Sequence, residues 1–287
     1  MRNFFEIIKE GLHFNKFEVG DLVVVEYSCP LEDEHLGLFS QSDYLVHVLS
    51  GKKTWKTING VWVLEAGDTL YLKKGAAIIN QYFEEEFCLL GFFIPDYLIQ
   101  ECLADVVGKI PIQHNEEAFQ FTAAALQSNH YLDGYFQSML NYFRGKEKPL
   151  DEILKIKLKE LLINVICSDE NPVLAAYLKS IALAGEFSLP LIMETNYCYN
   201  LSLEEFAKLT HRSLSTFKRD FQNYYNMPPG RWLLGKRLER SAQFLLGESA
   251  NVTQIAFDCG FEDVSHFSRA FKQRFGCPPS EFRKVSA

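Results

Sequence analysis

A segment of sixteen residues occurs twice near the end of this chain. Residues 214–229 read LSTFKRDFQNYYNMPP and residues 264–279 read VSHFSRAFKQRFGCPP. Six positions are identical: Ser215/Ser265, Phe217/Phe267, Arg219/Arg269, Phe221/Phe271, Pro228/Pro278 and Pro229/Pro279. A repeat at this period marks one supersecondary unit used twice. In the first copy Leu214, Phe217, Phe221 and Tyr224 or Tyr225 recur at three- and four-residue steps; in the second Val264, Phe267, Phe271 and Phe275 do the same. That spacing predicts a helix with a buried aromatic face, stopped by Pro-Pro. Ser215, Lys218, Arg219 and Gln222 then point outward, as do Ser265, His266, Ser268, Arg269 and Lys272.

Each repeated helix is expected to follow a shorter one and a tight turn. Ser202 and Glu205 form a capping box ahead of a helix over 203–209. A second short helix over 252–259 leads into a turn at 260–263. Short helix, turn and longer helix make a helix-turn-helix, whose second helix enters the DNA major groove. An arginine there can donate two hydrogen bonds to a guanine, and Ser or His reads base edges at close approach. The competing reading is a solvated surface. On it, Arg219 and Arg269 form ion pairs with Asp220 or Glu262, and His266 has no role. Two copies of the arrangement favour DNA. A longer helix over 230–246 is expected between the units, and a short one over 278–284 closes the chain.

The net charge of −8 argues against a nucleic-acid partner until the chain is divided. Residues 188–287 carry 13 Lys and Arg against 10 Asp and Glu, and the remainder carries 16 against 27. Binding depends on the local patch rather than on the total. The seven cysteines (29, 88, 102, 167, 198, 259 and 277) are scattered and never spaced as CxxC, which predicts reduced thiols and no zinc framework. No run of about 18 apolar residues exists, and Glu6 and Lys9 interrupt the apolar N-terminus. A cytoplasmic protein without a membrane partner is expected.

The front of the chain reads differently. Runs at 17–27, 44–49, 54–58, 61–64, 69–73 and 87–94 are rich in β-branched and aromatic residues. Between them lie Gly51, Asn59-Gly60, Gly67-Asp68 and Gly75, and Asn-Gly is a strong hairpin signal. A small antiparallel barrel or sandwich follows. From about residue 96 the periodicity turns helical, with helices expected over 118–143 and 150–166. In the latter, Ile153, Leu154, Leu158, Leu161, Leu162 and Val165 make one stripe. It either packs on the barrel or dimerises. The fold class is thus α+β: a barrel domain over 1–98, a helical region with possible dimerisation over 99–187, and an all-α domain over 188–287.

The last hundred residues resemble the DNA-binding domain of the AraC/XylS family of bacterial transcription regulators. The resemblance rests on IAFDCGFEDVSHFSRAFKQRFGCPPSEFR at 255–283, with Gly260-Phe261, Phe275-Gly276, Pro279 and Arg283 in place. It rests also on Arg237-Leu238, Ala242 and Leu245-Leu246, and on EEFAKLTHRSLSTFKRDF at 204–221. That first motif departs from the family at His211, where glycine is common. The resemblance implies two helix-turn-helix units joined by one linker helix, entering successive major grooves about 34 Å apart. It implies base contacts from Ser215, Lys218, Arg219, Ser265, His266 and Arg269, with Thr216 and Ser268 as weaker candidates. Backbone amides opening the helices at Leu203 and Val252 are candidates to hold phosphates.

Residues 44–77 are similar to the cupin-type barrel that many such regulators carry, chiefly in the Leu64-x-x-Gly67-Asp68 turn and Gly75. His47 has no second histidine beside it, so no metal and no cofactor are expected. Trp55, Trp62, Tyr44, Tyr71 and Tyr82 either line an effector pocket or fill a core. The resemblance implies a regulator, an activator by direction, and not an enzyme. Its partners would be promoter DNA, RNA polymerase, a second copy of itself and an unidentified small-molecule or protein effector. The rival is a small-molecule-binding or enzymatic cupin with an incidental helical tail.

Overall fold

The computed structural model describes every residue except 13, 29–34, 83–85, 111–116, 146–147, 184–188, 248–250 and 286–287, and leaves aside the side chains of 119 and 283–285. Cys29 and the side chain of Arg283 therefore lie outside the described residues. The chain divides into two compact units, Met1–Phe187 and Ser188–Ala287.

The first unit opens with β1 (Arg2–Asn3) and α1 (Phe4–Glu10). The strands β2 (Asn15–Val19), β3 (Leu22–Ser28), β4 (His35–Ser40), β5 (Asp43–Ser50), β6 (Lys53–Thr57), β7 (Gly60–Leu64), β8 (Thr69–Leu72), β9 (Gly75–Gln81) and β10 (Cys88–Ile94) follow. Then come α2 (Asp96–Leu103), α3 (Glu117–Gln120), β11 (Ala123–Ala125), α4 (His130–Arg144), α5 (Asp151–Ile166) and α6 (Pro172–Leu183). The strands form two sheets, ordered β1-β4-β9-β6-β7 and β11-β8-β5-β10-β3-β2. Among the described residues all pairings are antiparallel except β1 with β4. The arrangement is the expected α+β one, with a cupin-like front half.

The six-stranded sheet is buried on both faces, and alternation along each strand shows how. Val23, Val25 and Tyr27, Tyr44, Val46 and Val48, Leu70 and Leu72, and Leu89 and Phe93 face the five-stranded sheet. There they meet Leu36, Leu38, Trp55, Leu64, Ala77 and Ile79. The alternate residues Leu22, Val24, Leu45, Tyr71, Leu90, Phe92 and Ile94 pack into a second core with α2, α4, α5 and α6. Sheets covered on both sides read as continuous apolar runs, as in CLLGFFI of β10.

Several expectations change here. The run 17–27 is a hairpin, β2 and β3 turning at Gly20, where φ is +61°. The helix expected over 118–143 is broken. Ala123–Ala125 pairs with β8 as an edge strand, and Asn129 caps α4 by accepting from the amides of Tyr131 and Leu132, both at 3.1 Å. Tertiary pairing overrides the helix propensity of alanine there. The α5 stripe is spent inside the unit: Leu154, Leu158, Leu161, Leu162 and Val165 are buried, and Ile156 is the large apolar residue that the helix leaves exposed.

Tyr44, Trp55 and Tyr71 are core residues, whereas Tyr82 is exposed. The Tyr71 hydroxyl donates to Asp43 at 2.7 Å, and Tyr177 of α6 donates to the same oxygen at 2.8 Å. Burial, with Asp96 nearby, pushes the Asp43 carboxyl above its ordinary range. The ammonium of Lys73 lies over the rings of Phe121 and Tyr177, at 3.9 and 4.1 Å. Burial lowers it to about 7.

His47 is a packing residue. Its ring lies flat against Phe136, 3.9 Å between centroids, and Nδ1 is 2.8 Å from the Thr69 hydroxyl. Burial lowers its pKa from 6.5 to about 4. The folded unit therefore binds fewer protons than the unfolded chain between those values. The contribution of His47 to stability is full above 6.5 and falls as the pH drops towards 4, by up to about 3 kcal/mol before solvent screening. His47→Gln should flatten this part of a urea-denaturation series run between pH 7 and 4. An unchanged pH slope would show that His47 titrates alike folded and unfolded.

The second unit is all-helical: α7 (Leu189–Asn196), α8 (Leu203–Leu209), α9 (Leu214–Tyr225), α10 (Pro229–Gly247), α11 (Val252–Asp258), α12 (Val264–Phe275) and α13 (Pro279–Val285). No described helix is long and apolar enough to cross a membrane.

Candidate DNA-reading surface

Each half of the second unit is built from the same local parts. Ser202 caps α8, and its hydroxyl accepts from the amide of Glu205 at 3.2 Å while the Glu205 carboxylate accepts from the amide of Ser202 at 2.6 Å. Asn251 caps α11 and accepts from Gln254 at 2.7 Å. The chain then turns through one left-handed residue, His211 at φ +53° or Gly260 at φ +84°. The bonds across the two turns correspond: His211 N to Lys208 O and Arg212 N to Ala207 O in the first, Gly260 N to Phe257 O and Phe261 N to Ala256 O in the second. The sequence departure at His211 thus leaves the turn intact, with a side chain in a conformation that favours glycine. The longer helices end alike, at Asn226 and Gly276, both left-handed.

The repeat is longer than the sixteen residues show, and its offset is not constant. Ser202 and Asn251, the left-handed turn residues, and the ends of α8 and α11 are 49 residues apart. From the caps Ser213 and Asp263 onward the offset is 50. The second turn holds one extra residue. Sequence comparison from the helices alone misses this, because the short helices share few identities.

Phe217, Phe221, Phe267 and Phe271 are fully buried. On the opposite faces Ser215, Lys218 and Arg219 of α9, and Ser265, His266 and Arg269 of α12, are all exposed, whereas Thr216 and Ser268 are half-buried. Thr216 also receives a hydrogen bond from the Ser213 hydroxyl at 2.9 Å. Arg219 reaches Asp220 at 3.4 Å and remains 70% exposed, and Arg212 is the closer partner of that carboxylate at 3.1 Å. The Arg269 Nε donates to the carbonyl of Ser265, 3.3 Å along its own helix. Glu262 instead accepts from Asn200.

Asn223 and Gln273 are exposed on the same faces, eight residues beyond Ser215 and Ser265, and were not singled out from sequence. The i, i+4, i+8 spacing was the available signal. At the start of α8, Glu204 and Glu205 place two carboxylates in the first turn, where a phosphate would be repelled. The amides opening that helix are therefore poor phosphate ligands. Among the described residues no group of three His, Cys, Asp or Glu is placed to hold a metal ion.

Residues 206–285 match the family described as a helix-turn-helix domain, and residues 43–177 match the ExsA N-terminal regulatory domain. The virulence regulon transcriptional activator VirF of Yersinia enterocolitica is 23% identical over 92% of this chain and 96% of its own length. The transcriptional regulator ExsA of Pseudomonas aeruginosa is 25% identical over 83% of this chain and 84% of its own. The crystal structure of ToxT from Vibrio cholerae aligns with a TM-score of 0.41 at 14% identity, over 92% of this chain and 98% of that one. With a helix-turn-helix domain behind an ExsA-type regulatory domain, and with relatives matched along nearly their whole length, the chain belongs to the AraC/XylS family of DNA-binding transcription regulators.

Proposed function

We propose that this regulator reads promoter DNA with two heads, α9 and α12, through Ser215, Lys218, Arg219, Ser265, His266 and Arg269, and with smaller contributions from Thr216 and Ser268. The observation that carries the assignment is the equivalence of the two exposed faces, each projecting from a fully buried aromatic face of the same design. Residues at the start of a recognition helix are those that reach base edges. The relatives named as activators support activation as the direction. On this reading the protein works in the cytoplasm without enzymatic activity, pairs with a second copy and acts on RNA polymerase beside it. The barrel over 1–98 takes the signal, a small molecule or a protein partner, and the helices over 99–187 back it.

Arg269→Ala should weaken binding to a selected operator by about 1–3 kcal/mol and relax preference at one base pair. Footprinting and a binding-site selection with the variant check this. A selected sequence unchanged at every position would remove Arg269 from the base-reading set.

A further inference from the structure

The linker helix α10 holds more than the two heads. The stretch 194–201, which enters the second unit ahead of α8, runs along α10 and is fastened to it by three cationic residues. Lys236 pairs with Glu194 at 2.9 Å. Arg237 donates from Nε to the carbonyl of Tyr197 and from Nη2 to that of Tyr199, both at 2.7 Å. Arg240 reaches the Tyr197 hydroxyl at 3.4 Å, and the rings of Tyr197 and Trp232 meet edge to face.

The other side of the same stretch touches the second head. Gly260, the left-handed residue of the second turn, lies so close that a β-carbon there would stand 2.6 Å from the carbonyl oxygen of Cys198 and 3.1 Å from Arg237 Nε. Two residues on, Glu262 accepts from the Asn200 side chain. Glu262 lies in the turn that is one residue longer than its counterpart, and that lengthening gives the second turn a group able to reach Asn200. His211, the counterpart of Gly260 in the first turn, carries a side chain, so the close approach is particular to the second head.

We infer that the stretch 197–201 is a wedge between the linker helix and the second turn, and that Arg237 is the positioning residue that fixes the spacing between the two reading heads. The inference rests on the reading of α9 and α12 as DNA-reading helices. Arg237 itself touches no base. Its guanidinium satisfies two carbonyls of an irregular segment that has no helix of its own, and such charge-assisted bonds are strong and directional. With the wedge locked, the second head can reach its half-site only at one separation from the first. Released, α11 and α12 keep only the apolar core that they share with α10, and their angle to that helix loosens.

The test uses the full-length chain and an operator selected from random DNA by the wild-type protein, together with versions carrying two extra base pairs between the half-sites. Wild-type protein should lose binding steeply on insertion. Arg237→Ala should lose about tenfold on the selected operator, the scale of a lost charged hydrogen bond, and lose little more on insertion. Arg237→Lys should restore part of the spacing dependence. Asn200→Ala, which leaves the guanidinium in place, should weaken that dependence in the same direction, and it decides the matter if Arg237→Ala fails to fold. Spacing dependence unchanged in the folded variants overturns the wedge, whatever their affinity. If wild-type protein ignores the insertion, the wedge is overturned; if it enriches no sequence, the two-head reading itself fails.

Discussion

Phe271→Ala should collapse the second half of the DNA-binding unit while leaving the cupin-like unit folded. The Phe271 ring is fully buried and packs against Phe275, Phe282 and Phe267, with centroids at 4.5, 5.2 and 5.5 Å. Around it lie Leu238, Ala242 and Leu245 from α10 and Ile255 and Ala256 from α11. Removing such a ring costs about 3–5 kcal/mol, the lost transfer energy plus the cavity left behind. That is a large share of the 5–15 kcal/mol that typically holds a domain together. Amide hydrogen exchange on the full-length variant should show protection lost in α11, α12 and α13 and retained in β3, β5 and β10. Retained protection in α12 would mean that Phe271 is not the keystone of that core.

The helix-turn-helix half was legible in the sequence because its helices are amphipathic. Phe217 and Phe221, or Phe267 and Phe271, fall on one side and charged residues on the other, so one period fixes element, orientation and exposed face together. The capping box at Ser202 fixed the start of α8 to the residue. Where both sides of an element are buried, that signal disappears. The α6 sequence, PVLAAYLKSIAL, buries Leu174, Ala175, Ala176, Tyr177, Leu178 and Ile181, and no stripe stands out. Strand β9, GAAIINQ, is hidden for another reason: it opens on Gly75, Ala76 and Ala77 and carries no β-branched residue until Ile78.

The site shows the same division. Ser215, Arg219, Ser265 and Arg269 were legible as outward residues because they lie on a helix opposite phenylalanines. The wedge at 197–201 was not, because irregular segments have no period. Its meaning lies in what Arg237 and Gly260 touch across some forty to sixty residues of chain. Nor did the sequence reveal which glycine is required. His211 and Gly260 both take a left-handed turn, yet only at Gly260 does a backbone carbonyl stand where a side chain would begin.

Salt should separate the two kinds of contact that the reading faces make. Lys218, Arg219, Arg269 and Lys272 are exposed on the two helices, and Arg274 ends α12, in a unit whose charge is opposite to that of the rest of the chain. Each phosphate neutralised releases counterions, so the logarithm of affinity falls linearly with the logarithm of salt concentration. For two heads making six or more phosphate contacts, the 190–287 fragment should lose about a thousandfold in affinity between 50 and 200 mM salt. Lys272, seven residues into its face and past the base-reading end, should act on the backbone alone. Lys272→Ala should therefore weaken binding about equally on every sequence and make the slope shallower by about 1. Arg269→Ala should instead change the preferred base. A fragment whose binding ignores salt would overturn the DNA reading. A Lys272→Ala variant that changes sequence preference would move Lys272 among the base readers and shift the reading end of α12 one turn towards its C-terminus.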